Sequence, residues 1–158
     1  VVTRAYDGNE RENLLAKIAD NDGFWHRMGD MGYLDDAGRL WFCGRKAHRV
    51  GTANGVLYTV VCEAIFHEHP QVRRAALVGL GPWGRQTPVV ILEPAGLVDG
   101  EEALFAELRG LALANPLTAG IERFLVHRSF PVDIRHNAKI GRETLAAWAV
   151  KQPLKESE

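Results

Sequence analysis

Two residues of opposite charge, Asp30 and Arg45, stand fifteen positions apart at the two ends of a predicted β-hairpin. The stretch between them, YLDDAGRLWF, has apolar residues on either side of residues 35–38, whose types suit a tight turn with a left-handed glycine. A carboxylate accepts hydrogen bonds from neighbouring hydroxyls, as on a ribose, and a guanidinium supplies a planar fork of donors. Together the two residues suit a nucleotide. The alternative is that Asp30 belongs to a Gly-Asp turn and Arg45 is a solvated charge at a strand end.

The block around this pair resembles the adenylate-forming superfamily, which includes acyl-CoA synthetases, luciferases and the adenylation domains of peptide synthetases. Its members carry Gly-Trp, then Thr-Gly-Asp, then a hairpin that ends in Gly-Arg. This sequence has GFWHRMGDMGYLDDAGRLWFCGR, with Met28 in place of the threonine. A second signature of the family, a proline followed by Gly-Lys-Ile-x-Arg-x-x-Leu, is matched by NAKIGRETL, with Ala138 in place of the glycine. The resemblance implies an enzyme that activates a carboxylic acid with ATP.

The resemblance assigns roles to four residues of this chain. Asp30 is expected to hold the ribose hydroxyls of ATP and AMP, with Arg45 beside it. Lys139 is expected to bridge the attacking carboxylate and the α-phosphate, where a compact, mobile ammonium stabilises charge in the transition state. Ala47 stands where the family usually has a hinge aspartate or lysine, about which the small domain rotates between two half-reactions. The alternative for Lys139 is an ordinary surface lysine ahead of a helix.

Within the superfamily, the chain looks most like the bacterial β-lactone synthetases of long-chain olefin biosynthesis. The segments that carry this likeness are FPVDIRHNAKIGRETLAAWA and HRVGTANGVLYTVVCEAIF. The likeness implies that a long-chain β-hydroxy acid is adenylated and that its own hydroxyl then displaces AMP to close a β-lactone. Gly51 replaces a lysine that is usual in the family, and Ala47 replaces the usual hinge residue. Both departures agree with a second half-reaction that needs no pantetheine thiol, so coenzyme A is not expected to be used.

Two other functions stay open. One is a fatty acyl-CoA or acyl-carrier-protein ligase, or an adenylation enzyme like those of peptide synthetases; the other is a free-standing, non-catalytic binding module. The family's phosphate loop and acyl pocket belong to a large N-terminal region, and no such segment occurs among these 158 residues. We therefore expect the C-terminal part of a longer ligase, inactive as an isolated chain, with Mg²⁺ bound mainly through the N-terminal domain. The expected partners are a carboxylic acid, ATP, that N-terminal domain and other enzymes of the olefin pathway.

Composition argues against other classes of function. A net charge of −1 without a basic cluster is unlike a nucleic-acid-binding protein. The apolar runs are short and interrupted by charges, so no transmembrane segment is predicted, and no secretory signal opens the chain. Cys43 and Cys62 form no Cys-x-x-Cys pair and fit buried free thiols in a reducing cytoplasm. The first residue, Val1, indicates a processed chain or a fragment.

The pattern of apolar residues predicts an α+β fold of antiparallel strands flanked by helices. The resemblance implies that this is a small C-terminal domain, preceded by the end of a large N-terminal domain. Residues 1–44, a helix plus a hairpin, are assigned to the large domain. Residues 45–150 are assigned to the small mobile domain and residues 151–158 to a polar tail. Asn9, with Glu12 three residues later, predicts the start of the first helix. That helix is predicted to end at residues 21–23 and to bury Leu14, Leu15 and Ile18.

In the second part, strands are predicted over residues 72–80, 87–93 and 122–127. Thr59 is expected to cap one helix and Asp99 to start another. The Asn54-Gly55 pair predicts a hairpin, with Asn54 in a position that tolerates positive φ.

Three further motifs are interpreted as structural. The glycines of GLGPWG fit a dinucleotide-binding pattern, but a strand follows them instead of a helix, so they are predicted to form a turn between paired strands. His67 and His69 are two apart on a predicted helix and do not share a face, so no metal site is expected. His26, between aromatic residues, is interpreted as a packed or capping side chain in preference to a catalytic base.

Overall fold

The computed structural model describes residues 3–98, 100–133 and 139–153. The chain divides into two compact units, Val1–Ala47 and His48–Glu158. This division lies three residues after the predicted boundary at residues 44 and 45. The assignment of the first unit to the end of a large domain stays a prediction.

The first unit consists of one helix and two antiparallel hairpins within the part of the chain that the structure describes. Its elements are α1 (Glu10–Ala16), β1 (Lys17–Asp20), β2 (Gly23–His26), β3 (Asp30–Leu34) and β4 (Leu40–Arg45). Strand β1 pairs with β2, and β3 pairs with β4. The second hairpin is the one predicted from the sequence, and it carries the Asp30–Arg45 pair.

Helix α1 begins as predicted but ends earlier. The side-chain oxygen of Asn9 accepts a hydrogen bond from the backbone N–H of Glu12 at 3.2 Å. The predicted end at residues 21–23 is wrong, because the helix stops at Ala16 and the next four residues form β1. The predicted burial is wrong as well, since Leu14 is 82% and Leu15 51% exposed. The turn before Gly23 lets β1 pair with β2, and this pairing satisfies backbone groups that a longer helix would otherwise use.

The second unit is an α+β domain, as predicted. Its elements are β5 (Val50–Thr52), β6 (Gly55–Leu57), α2 (Thr59–His67), β7 (Val72–Leu80), β8 (Thr87–Pro94), α3 (Glu101–Ala114), β9 (Arg123–Val126) and α4 (Arg142–Ala149). A short 3-10 helix, Lys46–His48, contains the last residues of the first unit and the first of the second. Asp99, predicted to start α3, lies outside the described residues, and Gly100 is the N-cap.

The sheet of the second unit has the order β7-β8-β9. Strands β7 and β8 are antiparallel, but β9 runs parallel to β8, so the prediction of antiparallel strands alone is wrong for this pair. The reason is that α3 connects β8 to β9. A strand–helix–strand crossover returns the chain in its original direction, whereas a tight hairpin reverses it.

The sheet is covered on both faces, because successive residues of β8 alternate between two hydrophobic cores. Val90 and Leu92 belong to the core formed with α2 and α3, while Val89 and Ile91 belong to the core formed with α4. The first core includes Phe66, Leu77, Leu104, Leu108 and Phe124. The second includes Val78, Phe130, Leu145 and Ala149. Helix α4, which follows the loop of Lys139, is therefore packed on its own face of the sheet.

Two local predictions in this unit are corrected. The N-cap of α2 is Tyr58, without a side-chain capping bond, and Thr59 is the first helical residue and is buried. Thr59 is not the cap because the extended backbone that precedes the helix belongs to Tyr58. In the β5–β6 hairpin the positive φ falls on Gly55 and not on Asn54; within the described residues only glycines adopt positive φ.

The glycine-rich loop between β7 and β8 is a hairpin turn, as predicted. Gly81 and Gly84 both have positive φ, and the strands on either side pair from Leu80 and Thr87 onward. Among the residues described, no helix has the length and apolarity that a membrane crossing requires.

Candidate functional site

Asp30 and Arg45 lie directly opposite each other in the β3–β4 register. Arg45 Nη1 is 3.1 Å from Asp30 Oδ1, so the two side chains form an ion pair. The side chain of Arg45 is 53% exposed and that of Asp30 31% exposed. A pair this open contributes roughly 0.2–1 kcal/mol to folding. Its carboxylate and guanidinium therefore stay accessible to a ligand that needs both an acceptor and donors.

The backbone around the pair holds Arg45 in place. The same Nη1 donates to the carbonyl oxygen of Met28 at 2.6 Å. The amide of Lys46 donates to the carbonyl oxygen of Gly29 at 2.8 Å, which extends the pairing one step past the strands. Gly29 has φ of 76°, a conformation that favours glycine over residues with a side chain. The Met-Gly-Asp stretch is thus bent so that the Met28 carbonyl faces the arginine and the Gly29 carbonyl faces the amide of Lys46.

The far end of the hairpin is organised by Asp35. Its Oδ1 accepts from the amides of Ala37 and Arg39, and its Oδ2 accepts from Arg39 Nε and from the indole N–H of Trp41 at 2.8 Å. The hydrogen bond from Trp41, followed by that from the Arg39 amide, lowers the pKa of Asp35 below its ordinary value. Gly38 has φ of 73°, as predicted for this turn.

Within the hairpin, the register shifts between Met31 and Gly32. A Cβ atom added to Gly32 would lie 2.6 Å from the carbonyl oxygen of Trp41. Only glycine allows this close approach of the two strands. The shift leaves Cys43 of β4 without a register partner in β3, and this extra residue brings Arg45 opposite Asp30.

Lys139 lies in the second unit, on the returning side of the loop between β9 and α4, and its side chain is exposed. Its carbonyl oxygen accepts from the amide of Asp133 at 3.1 Å. Val132 and Ile140 form an antiparallel bridge, and the amide of Gly141 donates to the carbonyl oxygen of Pro131 at 2.7 Å. The backbone of Lys139 is therefore held at the base of the loop. Ala138, noted in the sequence beside it, lies outside the described residues.

Two charged residues at the base of this loop, one buried and one half-buried, were not singled out as functional from the sequence. Glu63 on α2 and Arg142, the first residue of α4, form a two-point ion pair, with Nη2 donating to Oε2 at 2.8 Å and Nη1 contacting Oε1. A signal for Glu63 does exist. It lies at helical spacing among the buried residues of α2, where a carboxylate needs a partner.

The structure brings Asp30 and Arg45 together, while Ala47 and Lys139 lie elsewhere in the chain. Ala47 lies in the 3-10 helix Lys46–His48 and is the last residue of the first unit. Its position at this division agrees with a hinge. Its role, like those of Asp30, Arg45 and Lys139, stays a prediction.

The histidines near α2 have structural partners. His67 Nε2 accepts from the amide of Ala75 at 2.8 Å. His69 is buried, and its Nε2 lies 2.7 Å from a carboxylate oxygen of Glu107. Because its Nδ1 accepts from the amide of Gln71, Nε2 is the nitrogen that donates to this carboxylate. Within the described residues, no group of three or more potential ligands could hold a metal ion.

The sequence is 60% identical over 157 residues to the olefin β-lactone synthetase of Xanthomonas campestris pv. campestris, which covers 95% of this chain. It is 56% identical over 152 residues, or 93% of this chain, to the olefin β-lactone synthetase of Stenotrophomonas maltophilia. It is 33% identical over 153 residues, or 92% of this chain, to a 4-chlorobenzoate–CoA ligase of Arthrobacter sp.. The chain spans only 27–28% of the length of these relatives. No protein-family model matches.

Solved structures show the same fold. An anthranilate-CoA ligase in complex with anthranoyl-AMP superimposes with a TM-score of 0.76 at 19% identity, over 92% of this chain and 28% of that one. The O-succinylbenzoate-CoA synthetase of Bacillus subtilis, in complex with ATP and magnesium, gives a TM-score of 0.71 at 23% identity, over 91% and 28%.

The fold, the β3–β4 hairpin and the similar proteins together define the class of protein to which this chain belongs. The chain belongs to the adenylate-forming superfamily and corresponds to the C-terminal region of its ligases. Within that superfamily, its high identity is to olefin β-lactone synthetases.

Proposed function

We propose that this chain is the C-terminal part of an ATP-dependent ligase that converts a long-chain β-hydroxy fatty acid into a β-lactone, releasing AMP and pyrophosphate. The observation that carries the proposal is the 60% identity to an olefin β-lactone synthetase over 95% of the chain. The accessible Asp30–Arg45 pair supports the ATP-binding part of the proposal, because its chemistry suits a nucleotide.

Asp30 and Arg45 are proposed to bind the ribose of ATP and of the acyl-adenylate. The carboxylate of Asp30 has acceptor capacity for two vicinal hydroxyls, and Arg45 holds the carboxylate in place while keeping further donors for the ligand. These residues fit a ribose but not a triphosphate, which needs donors along its whole length. The phosphates, Mg²⁺ and the acyl chain are therefore proposed to bind mainly through an N-terminal domain.

Lys139 is proposed as the catalytic residue of the first half-reaction. In this step a carboxylate oxygen of the acid attacks the α-phosphorus of ATP, and the bond to pyrophosphate breaks. The ammonium of Lys139 bridges the carboxylate and the α-phosphate and offsets negative charge on the transferring group. The exposed side chain on an anchored backbone, as found in the loop, is suited to this role.

The second half-reaction is proposed to use the substrate's own β-hydroxyl. Its oxygen attacks the acyl carbonyl, the carbon–oxygen bond to AMP breaks, and the hydroxyl proton is lost to the surrounding medium. Ala47 is proposed as the hinge between the two half-reactions, since it lies where the two units divide. Neither coenzyme A nor a carrier thiol is needed.

We also propose that the enzyme acts in the cytoplasm and associates with other enzymes of the olefin pathway. The two buried, unpaired cysteines, Cys43 and Cys62, support a reducing compartment. Association with pathway partners is supported only by the likeness to olefin β-lactone synthetases.

The test uses the full-length enzyme with ATP and a long-chain β-hydroxy acid, in the absence of any thiol. Release of AMP with stoichiometric β-lactone, identified by mass spectrometry, is expected. The matched control is the same fatty acid without its β-hydroxyl, which should give adenylate and pyrophosphate exchange but no lactone. Adenylation of the unsubstituted acid with no cyclic product from the hydroxy acid would contradict the lactone step while preserving acid activation.

An acyl-CoA ligase is the second candidate function. The 33% identity to a 4-chlorobenzoate–CoA ligase over 92% of the chain favours it. This candidate predicts that product forms only when coenzyme A is added and that the product is a thioester. Omission and addition of coenzyme A in the same assay therefore separate the two functions.

A further inference from the structure

We propose that Glu63 and Arg142 are positioning residues for Lys139: their buried ion pair sets the place of the loop that carries the lysine. The inference rests on the role proposed above for Lys139. It concerns how the lysine is held, and it assigns no contact with substrate to either residue.

The pair joins three elements at one point. Glu63 projects from α2, and Arg142 is the first residue of α4. Besides its two contacts with Arg142, Glu63 accepts a hydrogen bond from the amide of Leu77 in β7 at 2.7 Å through Oε1. Arg142 Nη1 also donates to the carbonyl oxygen of Leu77 at 3.4 Å. The start of α4 is thus tied to α2, on the opposite face of the sheet, and to β7 within the sheet.

The ion pair between Glu63 and Arg142 is largely shielded from water, in an environment where charged side chains are rarely found. The side chains are 6% exposed for Glu63 and 14% exposed for Arg142. Taking both charges out of water is costly, and well-packed apolar residues in their place often stabilise a protein as much or more. What an ion pair adds is geometry, because a planar guanidinium and a carboxylate meet in one orientation. The pair specifies where the first turn of α4 lies.

The position of Arg142 constrains that of Lys139, because the segment between them is short and is hydrogen-bonded to the other side of the loop. Only two residues, Ile140 and Gly141, separate Lys139 from Arg142. Both are held by the opposite leg of the loop, Ile140 by its bridge to Val132 and Gly141 by its hydrogen bond to Pro131. A Cβ atom on Gly141 would lie 3.2 Å from the carbonyl oxygen of Pro131, so the two legs touch there.

The opposite leg has a buried carboxylate of its own. The amide of Phe130 donates to Glu93 Oε2 at 3.2 Å, and Glu93 is also paired with Arg74 at 3.4 Å and with Arg73 at 3.3 Å. Each end of the loop is therefore bound to a buried carboxylate, Glu93 at Phe130 and Glu63 at Arg142. The side chain of Lys139 is exposed, so its position depends on the loop backbone, whose two ends are held by Glu63 and Glu93.

The test is a double-mutant cycle in the full-length enzyme between Lys139→Ala and Arg142→Lys. The lysine at position 142 keeps the charge but loses the planar fork. We expect Arg142→Lys to slow adenylate formation about 10- to 100-fold, the range for a small misplacement of a catalytic group, with the KM for ATP unchanged. In the Lys139→Ala background the same change should cause no further slowing, because it acts only through the lysine. Multiplicative slowing in the double variant would show an independent structural effect and overturn the proposal.

Two more measurements keep the outcomes distinct. Glu63→Gln preserves shape but removes the charge, and it is the variant to use if Arg142→Lys does not fold. Glu107→Gln is the matched control, since it weakens the contact of a buried His69 between α2 and α3 without involving the loop. It should lower the melting temperature and leave adenylation at the wild-type rate. If the Lys139→Ala variant forms adenylate at the wild-type rate, the proposed catalytic role of the lysine is wrong. If Lys139→Ala is slow but the Glu63 and Arg142 variants form adenylate at the wild-type rate, only the proposed positioning role of Glu63 and Arg142 is wrong.

Discussion

Asp30 and Arg45 are register partners across one antiparallel hairpin, with Arg45 Nη1 3.1 Å from Asp30 Oδ1 and 2.6 Å from the carbonyl oxygen of Met28. The arginine is thereby fixed from two sides, while the aspartate keeps acceptor capacity on an accessible face. This geometry is suited to binding two adjacent hydroxyls. It is held by strand pairing, and the ion pair itself adds little to stability.

Asp30→Ala in the full-length enzyme should raise the KM for ATP about 10- to 100-fold, the cost of losing charge-assisted hydrogen bonds to a ligand. Folding should be preserved, because an exposed ion pair contributes little. ATP–pyrophosphate exchange at varied ATP concentration measures the change. Asp36→Ala, an exposed acid in the turn of the same hairpin, is the matched control. Equal KM values for the two variants would contradict ribose binding by Asp30.

Lys139→Ala should slow adenylate formation by about 10²- to 10³-fold, as expected for loss of a transition-state charge contact. Conversion of externally supplied acyl-adenylate to product should be nearly normal, because the α-phosphate bond is already made. Single-turnover assays of each half-reaction measure the two rates, with Lys151→Ala as the control for an exposed lysine. Loss of both half-reactions in a stably folded variant would refute the assignment, and wild-type rates in both would identify an ordinary surface lysine.

Ala47→Pro should slow one half-reaction and spare the other. Proline holds φ near −65°, so a hinge at this position loses one of its two conformations. Ala47→Gly removes no conformation and should support both half-reactions, which makes it the control. We expect a difference of about tenfold or more between the two rates in the proline variant. Unchanged rates in both assays would show that rotation occurs at another residue.

The isolated 158-residue chain should bind ATP weakly and show ATP–pyrophosphate exchange at background. Asp30 and Arg45 account only for the ribose side of the nucleotide. Exchange is measured with and without a long-chain carboxylic acid. Exchange that depends on the acid would overturn the expectation that catalysis needs an N-terminal domain, whereas tight ATP binding without exchange would favour a binding module.

Cys62 should resist thiol reagents in the folded chain. Burial, followed by the neighbouring carboxylate of Glu63, raises the pKa of the Cys62 thiol to about 11 from 9.0. At pH 8 its thiolate fraction is on the order of 10⁻³, so labelling of a Cys43→Ser variant should be slow until denaturant is added. Since the folded pKa is the higher one, the stabilising effect of the protonated thiol is full below pH 9 and is lost as the pH rises through 11. Rapid labelling of the native variant would contradict this burial.

Features encoded within a few neighbouring residues were predictable from the sequence. The Asn9 cap, the turn at residues 35–38, the strand over residues 72–80 and the placing of Asp30 and Arg45 at the two ends of one hairpin all depend on local hydrogen bonds or on one tight turn. Membership of the adenylate-forming superfamily was likewise carried by two short motifs and is confirmed by the relatives.

Features that depend on distant partners were decided only by the tertiary structure. Helix α1 ends at Ala16 because β1 finds a pairing partner in β2, which outweighs a local tendency to continue the helix. The direction of β9 follows from the path of α3 across the sheet. Arg142 and Glu63 are 79 positions apart, so the helical spacing that indicates burial of Glu63 does not identify its partner. Only folding brings them together, and because neither can be buried without the other, their partnership at the base of the Lys139 loop is a property of the packed domain.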